Sequence, residues 1–482
     1  MTLSTALNSA LSGLGAQGRA SGVVSENIAN ALTPGYARRS LEMEANSAIS
    51  AGVRVIGIRR HVDPAHLAGR RSADAALGES ESIATFANLV ADAVGQSGEE
   101  GAITTRLAVF ESSLIDAASR PDSNLRLDAV ARRANELVGT IRGTSDTLQA
   151  LRSQADQRIA AQVQRLNEAL SEVEGLNSRI LSAQARGAEA AGLMDMRQAL
   201  VDEINVIAPI RVVERDHAQI ALYTDGGAIL LDGSAADLGF DPVHGIVSEM
   251  AIGGALSGLT LNGREVRTGG NHAALPGGTL AAQFRIRDEL AVTAQARLDS
   301  LARDLIERFA DPAVDPTLVA GAAGLFTDAG AAFDPADELG LAARITVNAA
   351  ADPAQGGDSW RLRDGLSAAA PGEVGDARLI QALAGALETE RTPLSGDFGT
   401  GTLTAAEVSA VVLSATAQSA AFADERLSHV RTIQIEMQQI ELFDGVDTDA
   451  ELSRLILIEQ VYGANARMIQ VIDQMMQTLL SF

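Results

Sequence analysis

The sequence contains no cysteine, which excludes disulfides, thiolate nucleophiles and cysteine-ligated zinc. Lysine is absent too: all 38 basic residues are arginine, set against 62 acidic ones for a formal charge of −24. That balance argues against nucleic acid, because phosphate binding needs clustered cations. Aromatic residues make up only 3% of the chain. With so much Ala, Leu and Gly beside them, the composition suits helix–helix packing better than a ligand pocket. No continuous apolar run approaches the ~18 residues of a membrane span. The opening "MTLSTALNSALSGL" has no basic stretch and only spaced apolar residues, so neither a cleaved signal peptide nor a membrane anchor is expected.

What is present is periodicity. The 482 residues are enough for two to four domains. Leu3, Leu7, Ala10 and Leu14 step by four, three and four; Gln17 and Ser21 interrupt the pattern, and Val24, Ile28 and Ala31 resume it. The far end repeats the spacing in Leu455, Ile458, Tyr462, Asn465, Ile469, Ile472, Met476 and Leu479. Thr448 and Glu451 stand at capping-box spacing before it, with Asp449 adding negative charge to the first turn. Between 79 and 208 the chain reads as long helices, bounded by Pro121 and Pro209, and Ile159, Val163, Leu166, Leu170, Val173, Asn177 and Ile180 form a further seam.

From 209 the spacing alternates. "PIRVVERDHAQIALYTDGGAILLDG" predicts strands around an Asp225-Gly226 hairpin turn. Helix returns over 277–310, residues 311–403 are Gly-, Pro- and Asp-rich with strand-like pieces such as "ARITVN", and a last helical run covers 404–442. The expected fold is mainly α with β-rich inserts. Residues 1–62 with 443–482 form a coiled-coil pair; 63–208 with 276–312 and 404–442 form a helical body; 209–275 and 313–403 form a β-rich outer region.

"SENIANALTPGY" (25–36) ends the first helix pattern. Pro34 has no backbone donor and disfavours helix at Thr33, while Gly35 permits a reversal before Tyr36; Asn27 and Asn30 bracket the approach. Chemistry-bearing patterns are sparse. "GLGAQG" matches G-x-G-x-x-G at Gly13, Gly15 and Gly18, but a dinucleotide site needs a strand before the glycines, and here a helix pattern precedes them. Asp444, Asp447, Asp449 and Glu451 lack the spaced oxygens and central Gly of a calcium loop. The histidines at 61, 66, 217, 244, 272 and 429 form no metal-binding or triad pattern. No catalytic, cofactor or metal site is expected. A seam Asn such as Asn465 ordinarily fixes register and partner number.

Both ends carry a family likeness. "SGLGAQGRASGVVSENIANALTPGYARRSLEMEA" resembles the N-terminal signature of bacterial flagellar rod, hook and hook-associated proteins, and "GVDTDAELSRLILIEQVYGANARMIQVIDQMMQTLL" resembles their C-terminal one. Within that group, "GVRVIGIRRHVDP" (52–64), "FESSLIDAASRPDSNLRLDAVARRANELV" (110–138) and "GGTLAAQFRIRDEL" (277–290) resemble the FlgK family of flagellar hook-associated proteins. The resemblance implies a non-enzymatic subunit of the hook–filament junction, assembled as a ring on the distal end of the hook. Its neighbours would be the hook protein and a second junction protein of the hook-associated protein 3 type. A cytoplasmic export chaperone would hold the C-terminal helix, and the chain would leave through the flagellar type III channel without cleavage. On that reading Leu3, Leu7, Leu14 and Ile28, with the C-terminal seam, are the assembly interface, and Asn27, Asn30, Thr33, Pro34, Gly35 and Tyr36 turn the chain outward. The alternatives are a hook or distal-rod protein, or a cytoplasmic coiled-coil scaffold or enzyme with a site in the β domain.

Overall fold

The computed structural model describes residues 3–33, 35–45, 52–96, 98–270, 272–399, 401–443 and 445–481. Pro34 of the turn motif lies outside them. The chain begins with helix α1 (Leu3–Ala29), followed by a hairpin of β1 (Arg39–Ala45) and β2 (Val53–Arg60). Four helices follow: α2 (Pro64–Val94), α3 (Ile103–Ser119), α4 (Asn124–Ala185) and α5 (Ala191–Ile207). The start of α2 is written in "DPAH". Asp63 accepts hydrogen bonds from the Ala65 and His66 amides, and Pro64 occupies the first turn, where no donor is needed.

The insert after α5 holds two small antiparallel sheets. The first has the order β3-β4-β5-β6, from β3 (Ile210–Glu214), β4 (Ile220–Thr224), β5 (Ile229–Asp232) and β6 (Ser234–Ala235). The second runs β7-β8-β9, from β7 (Leu238–Gly239), β8 (Leu259–Leu261) and β9 (Arg264–Val266). The turn after β4 depends on Gly226, where a Cβ would run into the Ala273 carbonyl, and on Gly227 with φ +86°. His217, expected on a strand edge, instead sits with Ala218 in a left-handed turn between β3 and β4.

Helix resumes as α6 (Gly278–Arg285) and α7 (Ala291–Phe309), joined by one π-helical turn over Ile286–Leu290. Residues 313–403 are less β-rich than expected. They contain β10 (Phe326–Asp328) paired with β11 (Ile345–Val347), the short helices α8 (Leu341–Arg344), α9 (Arg361–Asp364) and α10 (Arg378–Glu388), and turns. Phe326, Ile345, Leu362 and Ile380 from this stretch are buried in the core that α3 and α7 build, so its apolar side chains stabilise the helical body rather than a separate sheet. Last come α11 (Ala405–Phe443) and α12 (Thr448–Leu480).

Two cores lie along α4, whose 62 residues run ~93 Å at 1.5 Å per residue. Its first half packs with α3, α7 and the 326–387 segment; Phe110, Phe309 and Phe326 meet there edge to face. Its second half presents the seam from Ile159 to Ile180, and Ile159, Leu166, Leu170 and Val173 are buried against α5, α6 and the β3–β6 sheet. That heptad seam thus packs on helices α5 and α6 and on the sheet together, not on one coiled-coil partner. Helix α2 runs along α11, and Phe86, Val90, Val408 and Val412 from this pair enter the first core; α1 runs along α12, with the β1–β2 hairpin against α1. One stretch within 405–480 has the length and mean hydropathy of a membrane span even though its apolar residues are discontinuous. About a third of that stretch is buried in the protein, and Val408, Val412 and Ala420 of α11 are among the buried residues of these helices.

Candidate functional site

The turn after α1 is organised by Asn27, whose side chain is fully buried at 0% exposure. Its Nδ2 donates to the Arg39 carbonyl at 2.8 Å, and its Oδ1 accepts from the Arg39 amide at 2.9 Å and the Tyr36 hydroxyl at 2.8 Å. One carboxamide thereby replaces a strand partner for Arg39 and pins the start of β1 to the helix. Asn30 donates back to the Glu26 carbonyl, and Thr33 donates to Asn30 Oδ1. Gly35, at φ +77°, lies against Ala199 of α5. The Arg39 guanidinium stacks over the Tyr36 ring and pairs with Glu26 and Asp195; Arg60 reaches Asp195 at 2.6 Å. Burial pushes the Tyr36 hydroxyl up to about 12, with Arg39 opposing, so it remains a hydrogen-bond donor throughout the physiological range.

On the other side, Arg38 pairs at 2.8 Å with Glu451, which is buried in the first turn of α12. This corrects the capping-box expectation. The cap of α12 is Asp447, whose carboxylate accepts from the Asp449 and Ala450 amides, and Glu451 ties α12 to the chain turn. An Asp one residue before the Thr supplies the acceptor first, which frees Glu451 for Arg38.

Along α1 the buried residues are Ala10, Gly13, Ala16, Val23, Val24 and Asn27. Leu3, Leu7, Leu14 and Ile28 are half-buried at the margin. The first half of the contact stripe is made of small residues, and Leu3, Leu7 and Leu14 flank it. Gly13 is its closest point: a Cβ there would lie 2.9 Å from Asn465 Nδ2. Gly15 and Gly18 meet nothing within 4 Å, and all three glycines sit inside an unbroken helix, so no loop exists to cradle a pyrophosphate.

On α12, Ile458 and Ile472 are buried, while Leu455, Asn465 and Ile469 are half-buried. Tyr462, Met476 and Leu479 face solvent. Leu452, Ile456, Leu457, Val461, Met468, Val471, Met475 and Leu480 join them, giving eleven exposed large apolar side chains on this helix. Scattered apolar exposure is ordinary, but a helix that shows its apolar side to solvent marks an interaction surface.

Among the described residues no group of three His, Asp or Glu is placed to hold a metal. His61 shares a 2.7 Å hydrogen bond with the Ser40 hydroxyl, and burial followed by Arg38, Arg59 and Arg454 lowers its pKa. Several structural residues escaped the sequence reading. Arg287, in the π-turn, pairs with buried Asp156 at 2.6 Å and lies against the Phe240 and Phe284 rings. Arg152 donates to the Arg287, Val247 and Met250 carbonyls. Arg308 pairs with Asp304 and donates to the Ala386, Thr389 and Leu403 carbonyls.

Residues 90–312 match the family described as flagellar hook-associated protein FlgK helical domain, and residues 444–482 match the flagellar basal body rod FlgEFG protein C-terminal family. Flagellar hook-associated protein 1 of Salmonella typhimurium is 29% identical over 247 residues, covering 48% of this chain and 44% of the relative's length. The chain thus spans under half of that relative. The protein of the same name from Bacillus subtilis is 22% identical over 511 residues, covering 98% of this chain and 97% of its own. A solved FlgK flagellar hook junction structure from Burkholderia pseudomallei aligns over 53% of this chain and 46% of that one, with a TM-score of 0.43 and 20% identity. Residues 90–312 and the relatives that align along the chain thus make it similar to the FlgK flagellar hook-associated proteins.

Proposed function

We propose that this chain is a structural subunit of the bacterial flagellar axis, forming the hook–filament junction as a ring of copies on the distal end of the hook. One observation carries the reading: α12 shows eleven large apolar side chains to solvent and buries only Ile458 and Ile472 among its large apolar ones. A subunit alone cannot cover that face, whereas neighbours packed around an axis cover it continuously. The domain roles follow. Residues 1–62 with 443–482 are the axial core, 63–208 with 276–312 and 404–442 the helical body, and 209–275 with 313–403 the outer region. The interface comprises the margin of α1 (Leu3, Leu7, Leu14, Ile28) and the outward side of α12. The Asn27–Tyr36 turn hands the chain from the axis to the body. Hook protein and a second junction protein are the axial neighbours, an export chaperone shields α12 beforehand, and export proceeds through the type III channel without a cleaved peptide. No catalytic role is assigned.

Deletion of the gene tests this. Cells should retain basal bodies and hooks, lack filaments and release flagellin into the medium. The match of 444–482 to a rod-type C-terminal family favours a second reading, a hook or distal-rod protein. Under it the deletion strain would lack hooks. Normal filaments in a strain without a second copy would reject both.

A further inference from the structure

The strands β2 and β3 are each the outer strand of a separate sheet, and both contribute walls to one cleft of about 1140 Å³. Leu67 of α2 and Val201 of α5 lie at its base, and Ile56, Ile58 and Val212 lie along its sides. Ile56 is exposed, and Ile58 and Val212 are half-buried, so the cleft offers apolar walls beside unpaired strand edges. An open edge is a template for another strand. The β1–β2 pair is a bare two-stranded hairpin, the arrangement that gains most from a third.

The same cleft is lined by a cation that forms no ion pair among the described residues. Arg197 of α5 is buried at 8% exposure. Its Nη1 donates to Asn177 Oδ1 at 2.8 Å and to the Ala218 carbonyl at 2.7 Å, which leaves its remaining donors for the cleft. Two other cleft arginines differ: Arg60 is paired with Asp195 and Arg71 with Asp202. Glu214 and Asp225 share the lining but form no ion pair with Arg197. Burial, then Arg60, pulls the Arg197 pKa down to about 10, with Glu214 opposing. At that value it stays charged in a place where charge is costly without an anion. Arg211, exposed on β3, adds a second cation at the mouth.

We infer that this cleft receives an extended segment of a second copy of this chain, adding to the edge of β2 and placing a carboxylate on Arg197. The inference rests on the proposed ring, in which copies lie side by side. A second copy is a partner of matching charge, since the chain has 62 acidic residues against 38 arginines and a formal charge of −24. A neighbour's segment would lock the hairpin that follows the axial helix to the next subunit.

The absence of cysteine makes the test clean. Ile58→Cys, labelled with a maleimide-benzophenone in the full-length protein, is photolysed in assembled hook-tip material. The expected product is a homodimer adduct mapping to an acidic, extended segment. Arg197→Met in that background should lower adduct yield about tenfold, as for loss of a buried ionic anchor, and Arg197→Lys should restore most of it. If Arg197→Met fails to melt like the parent, Arg211→Gln at the exposed mouth replaces it, with a smaller loss expected. Immunogold labelling of hook tips reports the ring separately. Labelled tips with no homodimer adduct, an adduct to another protein, or a yield indifferent to both arginines would overturn the inference and leave the ring standing. Unlabelled tips would remove both.

Discussion

Asn27 offers one carboxamide, and that group serves both backbone atoms of Arg39 and the hydroxyl of Tyr36. Ala at this position leaves a buried amide and a carbonyl unpaired, at a cost of about 2–4 kcal/mol of local opening free energy. The expected result for Asn27→Ala is faster hydrogen exchange across 36–45 with an unchanged melt of the helical body, because none of these groups touches either core. Unchanged exchange at the Arg39 amide would mean that the turn is held by Arg39 and Asp195 instead. Asp299 gives a second test at this scale. It accepts from the Gly340 and Ala342 amides and from Gln295, each at 2.8 Å. Burial nevertheless lifts its pKa from 3.8 to about 6, the donors opposing. The folded chain therefore holds this proton more tightly than the unfolded one. The stabilising contribution is fully present below ~3.8 and is lost as pH rises through about 6, amounting to ~2–3 kcal/mol at 1.36 kcal/mol per unit. Asp299→Asn should be less stable overall, since it loses an acceptor oxygen. The diagnostic is slope: thermal melts of the wild type should lose stability relative to the variant between pH 4 and 7. Parallel curves would show that Asp299 is ionised in the fold across that range.

Helices α1 and α12 meet through a stripe of small residues, and Gly13 against Asn465 is its tightest point. An added methyl meets only the end of a flexible amide, so Gly13→Ala should cost under ~1 kcal/mol, offset in part by better helix propensity. Gly13→Leu has no such outlet and should separate the pair. The prediction is loss of protection in both helices by hydrogen exchange, with the α2 and α11 pairing retained; intact protection would place the contact elsewhere. Sequence periodicity was informative to different degrees here. The seam from Ile159 to Ile180 is legible because every third or fourth residue except Asn177 is large and apolar, and all of it is buried. It does not say whether a helix or a sheet lies opposite. On α1 the seam reading includes the buried Ala10 and Val24, but its large leucines lie at the margin, and Gly13 and Ala16 carry the contact with too little bulk to mark a hydrophobic pattern. Arg287 and Arg308 were illegible for another reason. They hold carbonyls and carboxylates far along the chain, such as Asp156 and Ala386, and no local spacing records such partners. Over 313–403, the Gly and Pro content hid buried anchors like Phe326 and Ile380, because each stands alone between turns.

Across the whole molecule, stability is distributed unevenly, and the uneven part is where assembly is proposed to act. Both cores lie between residues 86 and 412 and are closed by buried aromatics, ion pairs and helix caps. Beyond them, α12 runs 33 residues with two large apolar side chains buried. A helix draws most of its stability from the face it packs, so one this poorly covered is marginal by itself. The isolated chain should therefore exchange quickly over 455–479 and slowly through α3, α4 and α7. Assembled material should protect 455–479, because the exposed Ile456, Val461, Met468 and Met475 then gain partners. Ile469→Asp, at the half-buried edge of the pair, should abolish assembly while leaving the melt of the two cores within ~1 kcal/mol of wild type. A body melt lowered by several kcal/mol would make α12 part of the same cooperative unit. Strong protection of 455–479 in the monomer would mean that the pairing with α1 suffices, and the exposed face of α12 would then need another explanation than copies of itself.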